Sequence, residues 1–577
     1  MAASNPARLQ AADGEVSDAT SRKSIERFNL ALGELQMMKV APLLRRATAA
    51  LDGKDWKLAA DLALEALSLD ERCGLAWHVL AIARDKVGDH QSAIQCYESA
   101  LALSTDQADI ANDLGRLAYR LDMKPLALRL FDIYRAARPD CIQGVNSLAC
   151  VQRDAHDYGA AIETLRPAIE AHPESALLWN TLGTVLAAQG DMAVALTFFE
   201  EALRLDPAYW HALHNRSHAR LHEGDLAGAL EDCDAAMALP ASPRDMVMMR
   251  LARSNILLCG GRVGEGWDGY EARLDPQAAE PTRFAMEQPR WTPQSDIAGK
   301  SLLLFGEQGL GDEVMFANMI PDVLEALGPQ GRLTLAVEPR LVGLFQRSFP
   351  TARVGAHVGH GVDGGMLRQA PFIKDPEAID LWAPMASPLR RFRRTLASFP
   401  TRPSFLAADP ARVAEWREVL AQRPGLKVGV LWKSLKLDGV RLRYYSPFEQ
   451  WRPVLETRRV SFVNLQYGDC QAELDQARET LGVEIWQPPG TDLKDDLDDV
   501  AALCRGLDLV LGPPTATTNI AAACGAEVWM ISTPGAWSLL GSGRHPWYPR
   551  VRLFVPDRFN QWTDLMLGVA NALADRR

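Results

Sequence analysis

Small apolar residues recur at intervals of 34 positions along the first half of the chain, separated by bulkier apolar and polar residues. Two short antiparallel helices can approach each other closely only where small side chains face one another. Columns of such residues therefore predict an α-helical solenoid built from repeated helix pairs. The most regular column consists of Ala59, Ala93, Ala127, Ala161, Ala195 and Ala229.

The hydrophobic pattern changes near residue 275. Residues 275–299 are irregular and rich in proline, which predicts a linker. Beyond them, short apolar runs such as 301–305 and 426–432 alternate with helical stretches, the pattern of a parallel sheet built from βαβ units. A long break between two series of runs predicts two Rossmann-like α/β halves, over 300–410 and 411–577. Their ligand cleft is expected at the carboxyl ends of the strands.

The segment 175–207 resembles a tetratricopeptide repeat, and the resemblance extends in register over about six repeats. It implies a solenoid with capping helices over 24–274, preceded by a disordered N-terminus over 1–23. Repeat arrays of this kind usually bind peptides or protein partners. A purely structural or dimerising role is the alternative. The residues that carry the resemblance are Trp179, Leu182, Gly183, Gly190, Ala195, Phe199, Ala202 and Pro207.

Composition excludes several functional classes. The net charge of -11 at pH 7 argues against a nucleic-acid partner, because phosphate neutralisation needs clustered lysine and arginine. Residues 1–23 lack the basic and apolar stretches of a signal peptide, and no apolar run in the sequence is long enough to span a bilayer. The nine cysteines form no CxxC pair, which indicates reduced thiols. We therefore expect a cytoplasmic protein without a membrane span.

A glycine-rich turn after the predicted strand 301–305 carries Gly309, Gly311 and Asp312. Glycines allow backbone N–H groups to approach a ligand at the start of a helix, so we place Gly309 and Gly311 among the ligand-binding residues. An aspartate at the mouth of the cleft can act as a general base. Spacing alone suits helix capping by Asp312 equally well.

Two further loops follow predicted strands in the second half. The first carries Lys433 and Ser434, with Lys436, Arg441 and Arg443 close behind. A solvated basic loop is the alternative to a functional role. The second loop combines hydroxyl groups with free N–H groups at a helix start, which suits a sugar nucleotide. Its candidate residues are Pro514, Thr515, Ala516 and Asn519.

These motifs resemble bacterial tetratricopeptide proteins fused to a glycosyltransferase domain akin to the family 9 heptosyltransferases. The resemblance covers nearly the whole chain. It implies the GT-B architecture, which works without a metal or a cofactor and uses a nucleotide sugar as co-substrate. It also implies that Asp312 is the general base and that Gln466 belongs to the donor site. In the resembling enzymes the loop after the strand 427–431 meets the donor phosphate, which implies that Lys433 and Ser434 neutralise the departing nucleotide. The residues that carry the resemblance include Gly266-Trp267, Pro289-Arg290-Trp291, 307–316, 428–434, Leu465-Gln466, 498–503 and Trp547-Tyr548-Pro549.

The donor loop departs from the pattern of these relatives. Pro514 stands where they usually carry an aspartate, and Asn519 where they carry a histidine, which argues against a heptose donor. Within this architecture the chain resembles flagellin glycosyltransferases. That resemblance implies transfer of an activated nonulosonic acid, such as pseudaminic acid, to Ser or Thr of flagellin held by the repeats. A heptosyltransferase of lipopolysaccharide assembly and a non-enzymatic scaffold are the alternatives.

Other polar clusters are interpreted as structural. Asp496 and Asp498 resemble a metal-binding DxD motif, but their position at an acidic helix start favours solvated charges. The glycine-rich stretch 359–365 predicts a mobile loop, and the arginines at 390–394 predict an exposed helix face. His545 fits a donor contact and a structural role equally well.

Overall fold

The computed structural model describes residues 38–362, 364–435 and 444–576. The predictions for 1–37, and those for Lys436, Arg441 and Arg443, lie outside the described residues. The chain forms two compact units, one ending at Pro173 and the other running from Glu174 to Arg577. Among the described residues, no helix is both long and apolar enough to cross a bilayer.

The first unit consists of antiparallel helix pairs, as the 34-residue period predicts. Small side chains lie where the helices of a pair cross: a methyl group added at Gly115 would come within 3.0 Å of the Phe131 ring. The helices are α1 (38–52), α2 (Trp56–Leu69), α3 (Gly74–Lys86), α4 (His90–Leu103), α5 (Ala108–Arg120), α6 (Lys124–Ala137), α7 (Ile142–Asp154) and α8 (Tyr158–Ala171).

The second unit begins with three further helix pairs. The same small-residue column recurs, since a methyl group at Gly183 would come within 2.6 Å of the Phe199 ring. The second helix of a pair is often started by an aspartate whose carboxylate accepts the N–H three residues on, as Asp191 does at 3.1 Å. The helices are α9 (Ala176–Gln189), α10 (Met192–Leu205), α11 (Trp210–His222), α12 (Leu226–Met237), α13 (Pro243–Cys259) and α14 (Val263–Tyr270).

Two parallel sheets follow in the same unit, which confirms the predicted change from helices to alternating strands and helices. The smaller sheet has the strand order β4-β3-β2-β7, and a hairpin adds a separate three-stranded sheet of order β1-β6-β5. The strands are β1 (Thr282–Phe284), β2 (Ser301–Phe305), β3 (Arg332–Val337), β4 (Arg353–Ala356), β5 (Val358–Val362), β6 (Gly365–Gln369) and β7 (Leu381–Pro384).

The larger sheet has six parallel strands in the order β10-β9-β8-β11-β12-β13. Relative to the chain, that order is third, second, first, fourth, fifth, sixth, the doubly wound arrangement of dinucleotide-binding folds. The strands are β8 (Leu426–Val430), β9 (Val460–Asn464), β10 (Ile485–Trp486), β11 (Leu509–Gly512), β12 (Val528–Ile531) and β13 (Arg552–Phe554).

Helices cover the faces of both sheets. Those next to the smaller sheet are α15 (Leu310–Phe316), α16 (Ile320–Leu327), α17 (Val342–Ser348) and α18 (Leu389–Phe392). The remaining helices are α19 (Pro410–Ala421), α20 (Arg452–Leu455), α21 (Gln471–Leu481), α22 (Leu497–Gly506), α23 (Ala516–Ala523) and α24 (Thr563–Ala574).

Strand order places the candidate loops at switch points. In a doubly wound sheet, ligands bind outside the carboxyl ends of the two strands between which the winding direction reverses. In the larger sheet these strands are β8 and β11, and the loops with Lys433 and Thr515 follow them directly. In the smaller sheet they are β2 and β7, and the turn with Asp312 follows β2.

Two structural expectations are wrong. The stretch 359–365 belongs largely to the paired strands β5 and β6, so it is a hairpin and not an unstructured loop. Arg393 does not lie on an exposed helix face: its side chain is 1% exposed, and its guanidinium donates to the Asn318 and Asp322 side chains at 2.9 and 2.5 Å. The two errors differ in cause: local pairing of neighbouring strands orders 359–365, whereas the partners of Arg393 lie more than 70 positions away in the sequence.

A buried ion pair joins the end of the helical repeats to the turn that bears Asp312. Arg273 follows α14, and its guanidinium donates to both carboxylate oxygens of Glu307 at 2.8 Å. The two side chains are 5% and 2% exposed. Glu307 also accepts the Ala386 N–H at 2.7 Å, so this carboxylate holds the loops after β2 and β7 together.

We predict that Arg273→Met lowers the free energy of unfolding of the second unit by about 3–5 kcal/mol, because removing one partner leaves a buried, unpaired carboxylate. Urea denaturation of the full chain, followed by tryptophan fluorescence, measures the change. Arg262→Met is the matched control, since Arg262 pairs with Glu265 on the surface. Equal midpoints for the two variants would contradict the assigned role of the buried pair.

Candidate functional site

A cavity of about 350 Å³ lies where the last repeat helices meet the loops of both sheets. Its walls therefore combine residues from α11, α13, α15 and α23 with the loop after β12. Imidazole, amide, hydroxyl and aromatic groups predominate. The described residues that line it are His218, Leu221, His222, Asn255, Asp312, Met315, Tyr444, Tyr445, Pro514, Asn519, Ser532, Thr533, Gly535, Ala536, Trp537, Ser538 and His545.

Asp312 occupies the third position of α15, and its carboxylate accepts the N–H of Gly309 at 3.2 Å. It thus caps the helix by reaching back, while the same side chain lines the cavity. Burial raises the pKa of Asp312 to about 6, with a further increase from the nearby charges of Glu307 and Glu313. A carboxylate with a pKa close to neutrality is suited to general-base chemistry.

Gly311 lies where α15 approaches α23. A methyl group at this position would come within 3.0 Å of the Asn519 amide nitrogen. That amide donates to the Gly311 carbonyl oxygen at 3.3 Å. The predicted residues Gly311, Asp312 and Asn519 are therefore brought together, and glycine permits the close approach of the two loops.

The loop between β11 and α23 is held by its own hydroxyl groups. The N–H of Thr515 donates to the Thr518 hydroxyl at 2.8 Å, and that hydroxyl donates to the Pro513 carbonyl oxygen at 2.8 Å. Thr515 is buried, whereas Pro514 is exposed and lines the cavity. Ala516 is the first residue of α23. The start of this helix lies close to Gly311, because a methyl group added at Gly311 would be 3.5 Å from the Ala516 backbone nitrogen.

The second set of predicted residues follows β8 and β9 and lies outside the cavity lining. The Gln466 side-chain oxygen accepts the N–H groups of Trp432 and Lys433 at 3.0 and 2.9 Å, so Gln466 clamps this loop. The Lys433 ammonium forms an ion pair with Glu473. Ser434 follows Lys433 and is partly exposed. The structure thus separates Lys433, Ser434 and Gln466 from the group around Asp312.

Gln466 also lines a second, more open depression of about 670 Å³ at the ends of β9 and β10. Its walls are polar and include Asn464, Gln487 and Lys494. The Asn464 amide donates to the Gln487 side-chain oxygen at 2.9 Å, which orders the floor. This depression and the Asp312 cavity both lie at the carboxyl edge of the larger sheet, and predicted site residues line both.

His545 is a buried member of the cavity wall. It is 2% exposed, and burial lowers its pKa to about 3, so the imidazole is neutral at physiological pH. Among the described residues, no group hydrogen-bonds its Nδ1 atom. A neutral imidazole with an unused nitrogen can donate to, or accept from, a polar ligand group.

The sequence offered no signal for the repeat residues in the cavity. His218, His222 and Asn255 carry no motif, and their role follows from the packing of α11 and α13 against the sheet loops. The histidines of α11 were detectable in principle, because His211, His214, His218 and His222 fall on one helix face.

The DxD-like acidic residues are engaged in structure. Asp496 caps α22 by accepting the Asp499 N–H at 2.9 Å, and Asp498 forms two hydrogen bonds with the Arg347 guanidinium. Within 38–362, 364–435 and 444–576, no group of three or more His, Cys, Asp or Glu side chains is placed to hold a metal ion.

One known protein is similar to nearly the whole chain, and two family models match parts of the repeat region. Family models described as tetratricopeptide repeat match residues 76–111 and 146–209. Protein FlbA of Caulobacter vibrioides is 51% identical over 559 residues, 97% of this chain and 94% of that protein. Tetratricopeptide repeat protein 36 of Bos taurus is 48% identical over 59 residues, 10% of this chain and 31% of that protein.

Solved structures resemble only part of the chain. A tetratricopeptide repeat protein from Parabacteroides merdae covers 41% of this chain and is itself covered to 91%, at 15% identity and a TM-score of 0.37. A likeness of that size carries no argument about the site.

We predict that Asp312→Asn stabilises the protein at pH 7–8 and has no such effect near pH 4. The folded-state pKa of about 6 exceeds the ordinary value of 3.8, so folding favours the protonated carboxyl, and the free energy of unfolding falls as the pH rises from about 4 to 6. The substitution is expected to raise the free energy of unfolding at pH 7–8 by at most about 3 kcal/mol. Melting temperatures across this pH range test it, with the exposed Asp564→Asn as control. A difference that persists at pH 4 would contradict the assignment.

Proposed function

The chain belongs to the same family as Protein FlbA of Caulobacter vibrioides, and on that premise we propose that it is a glycosyltransferase acting on a protein. It transfers a sugar from a nucleotide-activated donor to a Ser or Thr hydroxyl. The observation that carries the proposal is Asp312: a carboxylate with a pKa raised to about 6, in a cavity where the loops of two parallel sheets meet.

The architecture supports this class of reaction. The turn after β2 and the loop after β11 come from the switch points of two helix-covered sheets, and residues of both line the Asp312 cavity. This agrees with the GT-B arrangement that the resembling transferases use. In such a cleft, the donor binds at the switch point of one sheet and the acceptor at that of the other. Here the smaller sheet carries Asp312 and the larger sheet carries the Lys433 and Thr515 loops.

The reaction is a displacement at the anomeric carbon. Asp312 takes the proton of the acceptor hydroxyl, whose oxygen forms the new bond to that carbon. The bond from the carbon to the phosphate oxygen breaks, and its electron pair leaves with the nucleotide. Backbone N–H groups at the start of α23 are placed to meet the developing negative charge. Lys433 contributes once the donor phosphate competes with Glu473 for its ammonium group.

We further propose flagellin as the acceptor, held by the tetratricopeptide repeats, and an activated nonulosonic acid such as pseudaminic acid as the donor. The resemblance to flagellin glycosyltransferases supports both assignments. Pro514 and Asn519, which replace the aspartate and histidine of heptosyltransferases, argue against a role in lipopolysaccharide assembly. The repeats support protein binding independently of the transferase proposal.

A non-enzymatic scaffold is the second candidate function. It is favoured by the ion pair of Lys433 with Glu473, which occupies the charge assigned to the donor. Among the described residues that line the Asp312 cavity there is no lysine or arginine. Binding of a nucleotide sugar distinguishes a transferase from a scaffold.

We predict that cells carrying Asp312→Asn lose flagellin glycosylation, because the amide cannot accept the proton. Loss of a general base slows a reaction by about 10²–10⁴-fold. Mass spectrometry of flagellin compares this variant with the unaltered chain, with a strain that lacks the chain, and with Asp564→Asn as control. Normal modification in the variant would assign Asp312 to helix capping alone.

We predict that Lys433→Ala weakens binding of the donor by about tenfold or more, the usual effect of losing a charge-assisted hydrogen bond. Calorimetry on the full chain with CMP-, UDP-, GDP- and ADP-sugars measures it, and Lys300→Ala, at an exposed position ahead of β2, is the matched control. If no sugar nucleotide of the panel binds the unaltered chain, the scaffold function replaces the transferase.

A further inference from the structure

The helical repeats contribute side chains to the cavity that holds Asp312. His218 and His222 lie in α11, and Asn255 lies in α13, yet all three line the same cavity as Asp312 and Asn519. A site assembled in this way is incomplete in the two sheets alone. The repeat residues are therefore placed to touch whatever reacts at Asp312.

The repeat wall is held rigidly. The Cys259 thiol at the end of α13 donates to the Gly535 carbonyl oxygen at 3.0 Å, and a methyl group at Gly541 would come within 2.6 Å of the Gly261 backbone nitrogen. Trp267 of α14 is 1% exposed, and its indole N–H donates to the Arg393 carbonyl oxygen at 3.0 Å. The first two contacts hold the end of α13 against the loop after β12, and the third holds α14 against the end of α18. The end of α11 lies close to the same loop, since a methyl group at Gly535 would come within 3.3 Å of the Leu221 carbonyl oxygen.

Four histidines lie on one face of α11 and lead toward the cavity. Successive positions rotate by about 100°, so residues 211, 214, 218 and 222 fall within roughly 80° of one another. His211 and His218 are exposed, His214 is partly buried, and His222 is 6% exposed at the inner end. We call this set the histidine stripe.

The inner end of the histidine stripe is ordered by aromatic contacts. The His222 ring lies 4.6 Å from the His218 ring and 4.7 Å from the Phe559 ring, and its Nε2 atom is 3.4 Å from the Tyr444 hydroxyl. Deeper in the wall, the Nδ1 atom of His545 is buried and has no hydrogen-bond partner among the described residues. The His545 side chain is thus part of the cavity wall, and the exposed His218 ring is the histidine of this group that a polypeptide can reach from outside.

The occupant of the histidine stripe follows from the position of the other predicted residues. Pro514 and Asn519 of the donor loop line the inner part of this cavity, beside Asp312, so the reacting end of the donor is expected there. Lys433, which follows β8, and Gln466, which follows β9, are assigned to the donor phosphate side and lie outside the lining. The stripe instead runs outward along a repeat helix, the kind of element that binds polypeptides. Imidazoles both donate to and accept from peptide groups, and they stack on side chains, so they suit an extended polypeptide without requiring one charge.

We propose that the acceptor polypeptide lies along the histidine stripe of α11 and inserts its Ser or Thr hydroxyl into the cavity, where His218 and His222 help to select it. This inference rests on the proposed transferase function. It adds the path by which the acceptor reaches Asp312. It also makes α11 part of the reaction site, so the repeats do more than hold the acceptor near the sheets.

Site-specific photocrosslinking tests the proposal in the full chain. A benzophenone amino acid replaces His218, and in the control it replaces His360, which is exposed on β5 and does not line the cavity. The probe is flagellin made in cells that lack the chain. We expect a crosslink from position 218, and not from 360, to a flagellin peptide that contains a Ser or Thr that the unaltered chain modifies in cells. We also expect His218→Ala to slow flagellin modification in cells about tenfold.

Two results would overturn the inference in distinguishable ways. If the unaltered chain modifies flagellin but position 218 gives no crosslink and His218→Ala modifies it at the normal rate, the path along α11 is wrong and the transferase function stands. If the unaltered chain does not modify flagellin in cells, the proposed function itself fails, and the inference fails with it.

Discussion

The geometry of the site depends on one buried ion pair. Arg273 lies at the end of the repeat helices, and Glu307 lies in the turn after β2, five residues before Asp312. A charged pair at 5% and 2% exposure pays a large desolvation cost, so it persists only because further hydrogen bonds satisfy it. Here they come from Ala386, Ser387 and Glu271, which join three segments of the chain. The turn with Asp312 is thereby fixed relative to α11 and α13. The proline-rich segment 275–299 also contributes to the core, because its Trp291 side chain is only 3% exposed.

Glycine permits close packing both in the helical repeats and in the sheet region of the second unit. In the repeats, Gly183 lets the Phe199 ring lie across the partner helix. At the site, Gly311 lets the start of α15 meet Asn519 and the start of α23. In each case the missing side chain lets atoms of a second helix pack directly against the glycine backbone. The repeat period was visible because the rule is applied many times, whereas the contact between α15 and α23 occurs once.

That difference explains what the sequence could and could not predict. Periodicity predicted the helix pairs and the alternating strands, and the doubly wound order placed the Asp312 and Thr515 loops at switch points. The ion pair of Lys433 with Glu473 joins residues 40 positions apart, and the burial of Arg393 depends on Asn318 and Asp322. No local pattern encodes such contacts. The same holds for His218, His222 and Asn255, whose place in the cavity results from packing between the repeats and the sheets.

The environment of Asp312 links reactivity to stability. Glu307, which the fold needs as the partner of Arg273, also places a negative charge near Asp312 and helps to raise its pKa to about 6. At neutral pH the carboxylate is still mostly ionised, so it is competent as a base while being more basic than a solvated aspartate. The same burial disfavours the ionised form in the folded state, so basicity is gained at a cost in stability. A residue that served capping alone would not require this environment, because a solvated carboxylate at the third helix position accepts the same N–H.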